Sequence, residues 1–304
     1  MRAPGKSFQI CLLLFSFSLL ATSSFAQGPI DELIVAERDF IRQAAERGQR
    51  LAFLEHLAES GIVFKPDAIN GKQFWNLTTE TSPSFQLRKN AFADVSSNGF
   101  VGYTTGSWEL FRKQRTETPD ASGQYVTIWE KRPDGRFWIT LDLTIKHESF
   151  SDGDVKKAKN TLPIQDNNKK RYSAADAAMN FLRSGMGNKA LGDAYARFSA
   201  PGVRLLREGL PPIIGKNAVV DQTRDYTSMR FPIRLGLLES SDMAYFWNPC
   251  EYINSDEGRE KGNCLHIWKL RKKNWYIVLG VFARVENNTP PVLKLVDPRK
   301  IRSN

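Results

Sequence analysis

Phe137-Trp138-Ile139-Thr140-Leu141-Asp142-Leu143 and Trp275-Tyr276-Ile277-Val278-Leu279-Gly280-Val281 read as one strand written twice, 138 positions apart. Each copy ends a series of strand-like runs, and each series follows two stretches of helical period. Before the first copy, residues 31–47 set Leu33, Ile34, Glu37, Phe40, Ile41 and Ala44 at helical spacing, with Gly48 as a stop. Residues 49–59 read as a second helix, followed by strands at 62–64, 91–96, 100–111, 124–132 and 136–145. Pro133-Asp134-Gly135 turns the last two into a hairpin. The second copy repeats this order, with helices at 174–183 and 191–198 and strands at 203–207, 234–239, 243–253, 264–271 and 275–283. Shorter echoes support it: Gly61-Ile62-Val63 with Gly202-Val203-Arg204, Asn70-Gly71-Lys72 with Ile214-Gly215-Lys216, and Ile128-Trp129 with Ile267-Trp268. Their offsets drift from 138 to 144 residues, as loop insertions in a duplicated domain would make them.

A length of 304 residues suits two such domains, and 41% hydrophobic with 11% aromatic residues is enough for packed cores. Wholly disordered and collagen-like chains are excluded. At the N-terminus, Arg2 and Lys6 precede an apolar run over residues 10–20, and the small residues Ser24 and Ala26 fit a peptidase site before Gln27. That run is short for a membrane span, so residues 1–26 are expected to be a cleaved signal peptide and the protein secreted or periplasmic; an uncleaved anchor is the alternative. The expected divisions are a first domain at 27–148, a polar linker at 149–172, a second domain at 173–290 and a tail at 291–304.

The formal charge of +10 is unevenly spread. Residues 27–148 hold 15 basic and 17 acidic residues, and residues 149–304 hold 26 and 16. No nucleic-acid motif accompanies the basic half, so nucleic acid is not an expected partner. A solvated face is the default, and at most the basic half attracts weakly to an anionic surface. After removal of the signal, Cys250 and Cys264 are the remaining cysteines, a plausible disulfide in an oxidising compartment, with two reduced thiols as the alternative. The three histidines lack metal-ligand spacing, so no metal or other cofactor is expected.

The first segment resembles the SnoaL-like, DUF4440-type branch of the NTF2-like superfamily. The resemblance is carried by Leu33-Ile34-Val35-Ala36-Glu37-Arg38-Asp39-Phe40, Phe92-Ala93-Asp94-Val95, Gly102-Tyr103-Thr104-Thr105-Gly106-Ser107-Trp108-Glu109 and Trp138-Ile139-Thr140-Leu141-Asp142-Leu143. The second segment is similar in layout and in a few aromatic positions. The resemblance implies an α+β fold of two tandem NTF2-like (cystatin-like) cones, each with helices on a curved, mostly antiparallel sheet and a cone-shaped pocket. That superfamily includes ketosteroid isomerase and polyketide cyclases as well as non-catalytic binding and dimerisation domains, so the function must be argued from the site.

Asp142 is the sharpest candidate. Strand alternation sets it on one face with Trp138 and Thr140, and a carboxylate among apolar walls suits a general base. Tyr103 is the candidate oxyanion donor, and His147, just past the strand, a candidate proton relay at the pocket mouth. His56 reads as a surface helix residue. Phe64, Trp75, Trp108, Trp129, Trp138 and Thr140 are the expected pocket lining. Against the catalytic reading stands the common case of a carboxylate satisfied by a hydroxyl, an amide or an arginine. The second copy has Gly280 where the first has Asp142, which argues against two active sites. The favoured expectation is therefore an exported module that binds a small apolar or amphipathic molecule or pairs as a homodimer. The alternative is an isomerase or lyase with Asp142 as base.

Overall fold

The computed structural model describes residues 28–78, 84–112, 118–148, 156–157, 173–186, 190–230, 236–254 and 258–285. The expected signal peptide, most of the linker and the tail lie outside these residues.

Helix α1 (Pro29–Arg47) begins on a proline, carries Asp31 and Glu32 in its first turn and Arg47 in its last, and stops at Gly48, whose φ of 87° favours glycine. It buries Leu33, Ile34, Phe40 and Ala44, and also Glu37 and Gln43. Helix α2 (Gln49–His56) is shorter than its periodicity implies. At Leu57 the chain passes straight into β1 (Leu57–Phe64), where Ile62, Val63 and Phe64 are buried in succession. Next comes β2 (Ala68–Asn70), and the Asn70 side chain accepts from Gln73 N at 2.9 Å to start α3 (Gly71–Leu77). The remaining strands are β3 (Ser84–Val95), β4 (Val101–Arg112), β5 (Ala121–Lys131) and β6 (Phe137–Lys146). Two linker residues, β7 (Lys156–Lys157), pair with β3 at the sheet edge. The sheet order is β2-β1-β6-β5-β4-β3-β7, antiparallel except where β1 meets β6 and β3 meets β7.

The second half repeats the plan. Helix α4 (Ala174–Gly185) opens on a Ser173/Asp176 capping box. It is followed by α5 (Leu191–Phe198), β8 (Ser199–Arg207), β9 (Leu210–Ile214) and α6 (Lys216–Thr223). The last strands are β10 (Tyr226–Arg230), β11 (Gly236–Ser240), β12 (Met243–Asn254), β13 (Arg259–Arg271) and β14 (Asn274–Arg284). The order is β10-β12-β13-β14-β8-β9, with β11 also on β12 and the β8–β14 pair parallel. The echo between Asn70-Gly71-Lys72 and Ile214-Gly215-Lys216 marks the starts of α3 and α6, two helices that periodicity alone did not reveal.

Each half is thus an α+β cone with its own apolar core. Phe40, Phe53, Trp75, Trp129 and Ile139 centre the first, and Phe181, Tyr195, Trp268 and Phe282 the second. The outer sheet faces pack on each other through Ile128, Leu141, Leu143 and Ile145 on one side and Met243, Leu265, Ile267 and Val281 on the other. Lys269 crosses this seam to Asp94 Oδ1 at 3.1 Å and Val95 O at 2.6 Å, with Asp242 Oδ2 at 3.6 Å. Ser97 N donates to Asp242 Oδ1 at 2.6 Å, and Gly209 N to Lys146 O at 2.7 Å. The sheet surfaces that could join two copies of the chain therefore join its two halves.

Cys250 and Cys264 form a diagonal disulfide between β12 and β13, inside the second cone. Reducing it is expected to lower stability by about 3 kcal/mol, the cost for a closed loop of about 15 residues. The measurement is the shift in denaturant midpoint, with both thiols labelling only after reduction. Labelling of both in the native, untreated protein would contradict the bond.

Candidate functional site

Where the sheet of the first cone opens beside α2 and α3 there is a pocket of about 320 Å³, counting its open mouth. Phe53, Val63, Phe64 and Trp75 supply apolar wall, and Gln49, Gln86, Lys65, Arg88, Asp142 and Thr144 the polar part. Its enclosed space admits about two water-sized groups, so a steroid-sized ligand has no room within it.

Asp142 lies on the pocket floor, 6% exposed. The Arg88 guanidinium grips it from β3 with two bonds, Nη1 to Oδ2 at 2.7 Å and Nη2 to Oδ1 at 3.0 Å. Thr127 Oγ1 donates to Oδ2 at 2.8 Å. Both carboxylate oxygens are thus engaged by charge-assisted or hydroxyl donors. Arg88 in turn lies over the Tyr125 ring at 4.6 Å and near Phe40 and Phe53 at 5.3 and 5.5 Å. Behind it, Trp129 Nε1 donates to Thr104 Oγ1 at 3.0 Å, and Thr104 donates to Glu37 Oε2 at 2.6 Å. Burial raises the Glu37 pKa against the pull of Thr104 and Arg88, and it holds the Tyr125 phenol well above its ordinary value. Tyr125 lies close enough to Glu37 to feel its charge, but without the geometry of a full hydrogen bond.

The sheet register separates the candidates. Residues facing each other across strands share a face, so Thr104, Thr127 and Asp142 form one row toward the helices. Tyr103, Ile128 and Leu141 form the next row, toward the second cone. Tyr103 is accordingly not beside Asp142: it packs on Phe92 at 5.8 Å within the seam. The expected alignment of Trp138, Thr140 and Asp142 also fails. Ile128 pairs with Leu141 and Trp129 with Ile139, which leaves Thr140 as the extra residue of a bulge and reverses the alternation there. Thr140 donates to Ile128 O at 3.3 Å. Of the expected lining, Phe64 and Trp75 border the pocket. Trp129 is in the core, and Trp108 Nε1 donates to Gln124 O and Ile145 O at 3.1 Å. Trp138 lies at the hairpin between the cations of Lys72, Arg132 and Arg136. His147 is buried beyond the end of β6, its Nδ1 on Glu148 O, and does not border the pocket. His56 is buried, not surface: α2 packs on α1, its ring meets Phe40 edge-on, and Nδ1 donates to Ala52 O at 3.0 Å.

Arg88, Glu37, Tyr125, Thr127 and Lys65 escaped the sequence reading. Arg88 falls in 84–90, a stretch not read as strand, although Leu87 between Gln86 and Arg88 already alternates. Glu37 was visible as an acid on an apolar helical stripe. Lys65 extends from the end of β1 at the pocket rim, exposed as a residue, with Nζ 5.7 Å from the ring centroids of Phe74 and Trp75. Partial burial of its amine lowers the pKa while Asp142 opposes the shift.

The second cone lacks this polar floor. Gly280 stands opposite His266 where Asp142 stands opposite Thr127. A Cβ at Gly280 would lie 3.2 Å from the Tyr195 hydroxyl, so Tyr195 fills the space that an acid would need. Tyr195 and His266 Nε2 share a hydrogen bond of 3.0 Å, and burial pushes His266 down to about 4, neutral at physiological pH. Among the described residues no cluster of His, Cys, Asp and Glu could hold a metal ion.

The order of helices, the parallel entry strand and the curved sheet make each half an α+β cone, and the chain a tandem of two. Solved structures similar to it include an NTF-2-like protein of unknown function from Shewanella oneidensis MR-1, at 19% identity over 38% of this chain and 98% of that one, TM-score 0.31. A ketosteroid isomerase-like protein from Erwinia carotovora atroseptica matches at 16% identity over 37% and 93%, TM-score 0.32. An NTF2-like protein from Cytophaga hutchinsonii matches at 13% identity over 36% and 94%, TM-score 0.31. No family model and no curated protein matches the chain, so the DUF4440 label stays a resemblance.

Proposed function

We propose that the first cone is a binding module for a small molecule, carried by an exported protein, and that the second cone is its scaffold. The observation that carries this reading is the engagement of Asp142 by Arg88 and Thr127. A general base needs a lone pair aimed at substrate, and here protein donors occupy both sites on Oδ2 and one on Oδ1, while Arg88 holds the group as an ion pair. Tyr103, the donor that an isomerase would pair with it, is on the other face of the sheet. The joined Cys250 and Cys264 support an oxidising compartment. Homodimer formation through the sheet faces would have to displace the seam between the cones.

The test is proton exchange next to a carbonyl. Short enolisable ketones and aldehydes are incubated with the protein in deuterated buffer, and loss of the α-proton signal is followed by NMR. No exchange above the buffer rate is expected. Exchange that depends on protein and disappears in Asp142→Asn would overturn the binding reading in favour of an isomerase or lyase. In parallel, native mass spectrometry of protein purified from its source is expected to show a co-purifying small molecule.

A further inference from the structure

The pocket has an unequal set of polar partners. Asp142 is neutralised by Arg88, so the charge left over at the wall is the Lys65 ammonium. Among the described residues Lys65 Nζ has no ion-pair or hydrogen-bond partner, only the faces of Phe74 and Trp75. Trp75 also borders the pocket, is 6% exposed, and its indole N–H is without an acceptor. Two of the pocket-lining acceptor groups, by contrast, are engaged: Asp142 by Arg88 and Thr127, and Gln86 Oε1 by Gln49 and Arg88. Two donors without acceptors, beside a stacked Phe53–Trp75 pair, call for a ligand that brings an acceptor and negative charge on a short apolar body.

We infer that the first cone binds a small monocarboxylate, its carboxylate on Lys65 and the Trp75 indole N–H and its short chain against Phe64 and Trp75. This narrows the ligand class of the binding reading and rests on it. The enclosed space takes about two carbons of that chain, with the carboxylate in the open mouth beside Lys65. The pairing of Arg88 with Asp142 leaves a net single positive charge, which matches a monoanion better than a dianion.

Butyrate and its neutral isostere butyramide are compared by ligand-observed NMR titration against the purified protein. Butyrate is expected to bind at least about tenfold more tightly, the scale of one charge-assisted contact. Lys65→Met should abolish that preference by weakening butyrate far more than butyramide, and Lys65→Arg should retain it. Equal binding of the two probes, or a preference that survives Lys65→Met, overturns the carboxylate assignment and leaves the binding module standing. Competition by inorganic phosphate as strong as that by butyrate overturns the role of the apolar body. Binding of neither probe overturns the assignment outright, and co-purification then decides the binding reading by itself.

Discussion

Arg88→Met is expected to cost about 3–5 kcal/mol of stability, read as a shift in the urea midpoint, because it leaves Asp142 as a buried charge without a counterion. Both side chains are nearly sealed, 4% and 6% exposed, so water cannot replace the missing guanidinium without opening the cone. Arg88 also covers the rings of Tyr125, Phe40 and Phe53, and methionine would restore only part of that packing. Asp142→Leu alone should be similarly harmful, since it strands the arginine. The double variant Arg88→Met, Asp142→Leu should recover most of the loss, because apolar groups of similar volume carry no desolvation cost. Such strong coupling in the double-mutant cycle is the mark of a structural pair. A catalytic base would behave otherwise. If Arg88→Met cost under ~1 kcal/mol, Asp142 would be stable without its partner, and the case against a base would lose its main support.

How far the sequence reaches is seen on this same strand. The duplication was legible because the apolar pattern of Phe137-Trp138-Ile139-Thr140-Leu141 recurs as Trp275-Tyr276-Ile277-Val278-Leu279, and burial on both sheet faces constrains each position. The resemblance over nearly all of residues 30–147 added the cone, and the register confirms that architecture. The site was less legible, for two physical reasons. A bulge at Thr140 reverses the alternation just before Asp142, and nothing in the composition of Ile139-Thr140-Leu141 announces it. The partner of Asp142 is 54 residues earlier, in a stretch that does not read as strand. Glu37 is the instructive exception. Its place on the stripe of Leu33, Ile34 and Phe40 already implied a buried carboxyl, and a buried carboxyl requires a polar network around it. The helices α3 and α6 were hidden for another reason: seven and eight residues are too few for a period to show.

The seam between the cones gives the second large effect. Lys269→Met should cost about 3–5 kcal/mol near neutral pH, since it removes the cation between two buried carboxyls, Asp94 and Asp242. The cost should fall in acid, and the sign follows from Asp94. Burial, the largest influence, already raises its folded pKa above the ordinary 3.8, although Lys269 pulls it down through charge and hydrogen bond. A carboxyl whose folded pKa exceeds its unfolded one holds its proton more tightly when folded. Its favourable contribution is complete below about pH 4 and is lost as pH rises through the folded pKa. Removing Lys269 takes away both lowering influences, raises the folded pKa further, and so enlarges that loss and extends it to higher pH. The variant should therefore lie closest to the parent at about pH 4.5 and furthest from it at about pH 7.5. Lys269→Met with Asp94→Asn should recover part of the loss at neutral pH. Because this cluster binds the two sheets directly, its loss should also uncouple the halves: one unfolding transition is expected of the parent and two of the variant. A pH-independent cost under ~1 kcal/mol, with one transition retained, would mean that the apolar seam of Ile128, Leu141, Leu265 and Ile267 joins the cones unaided.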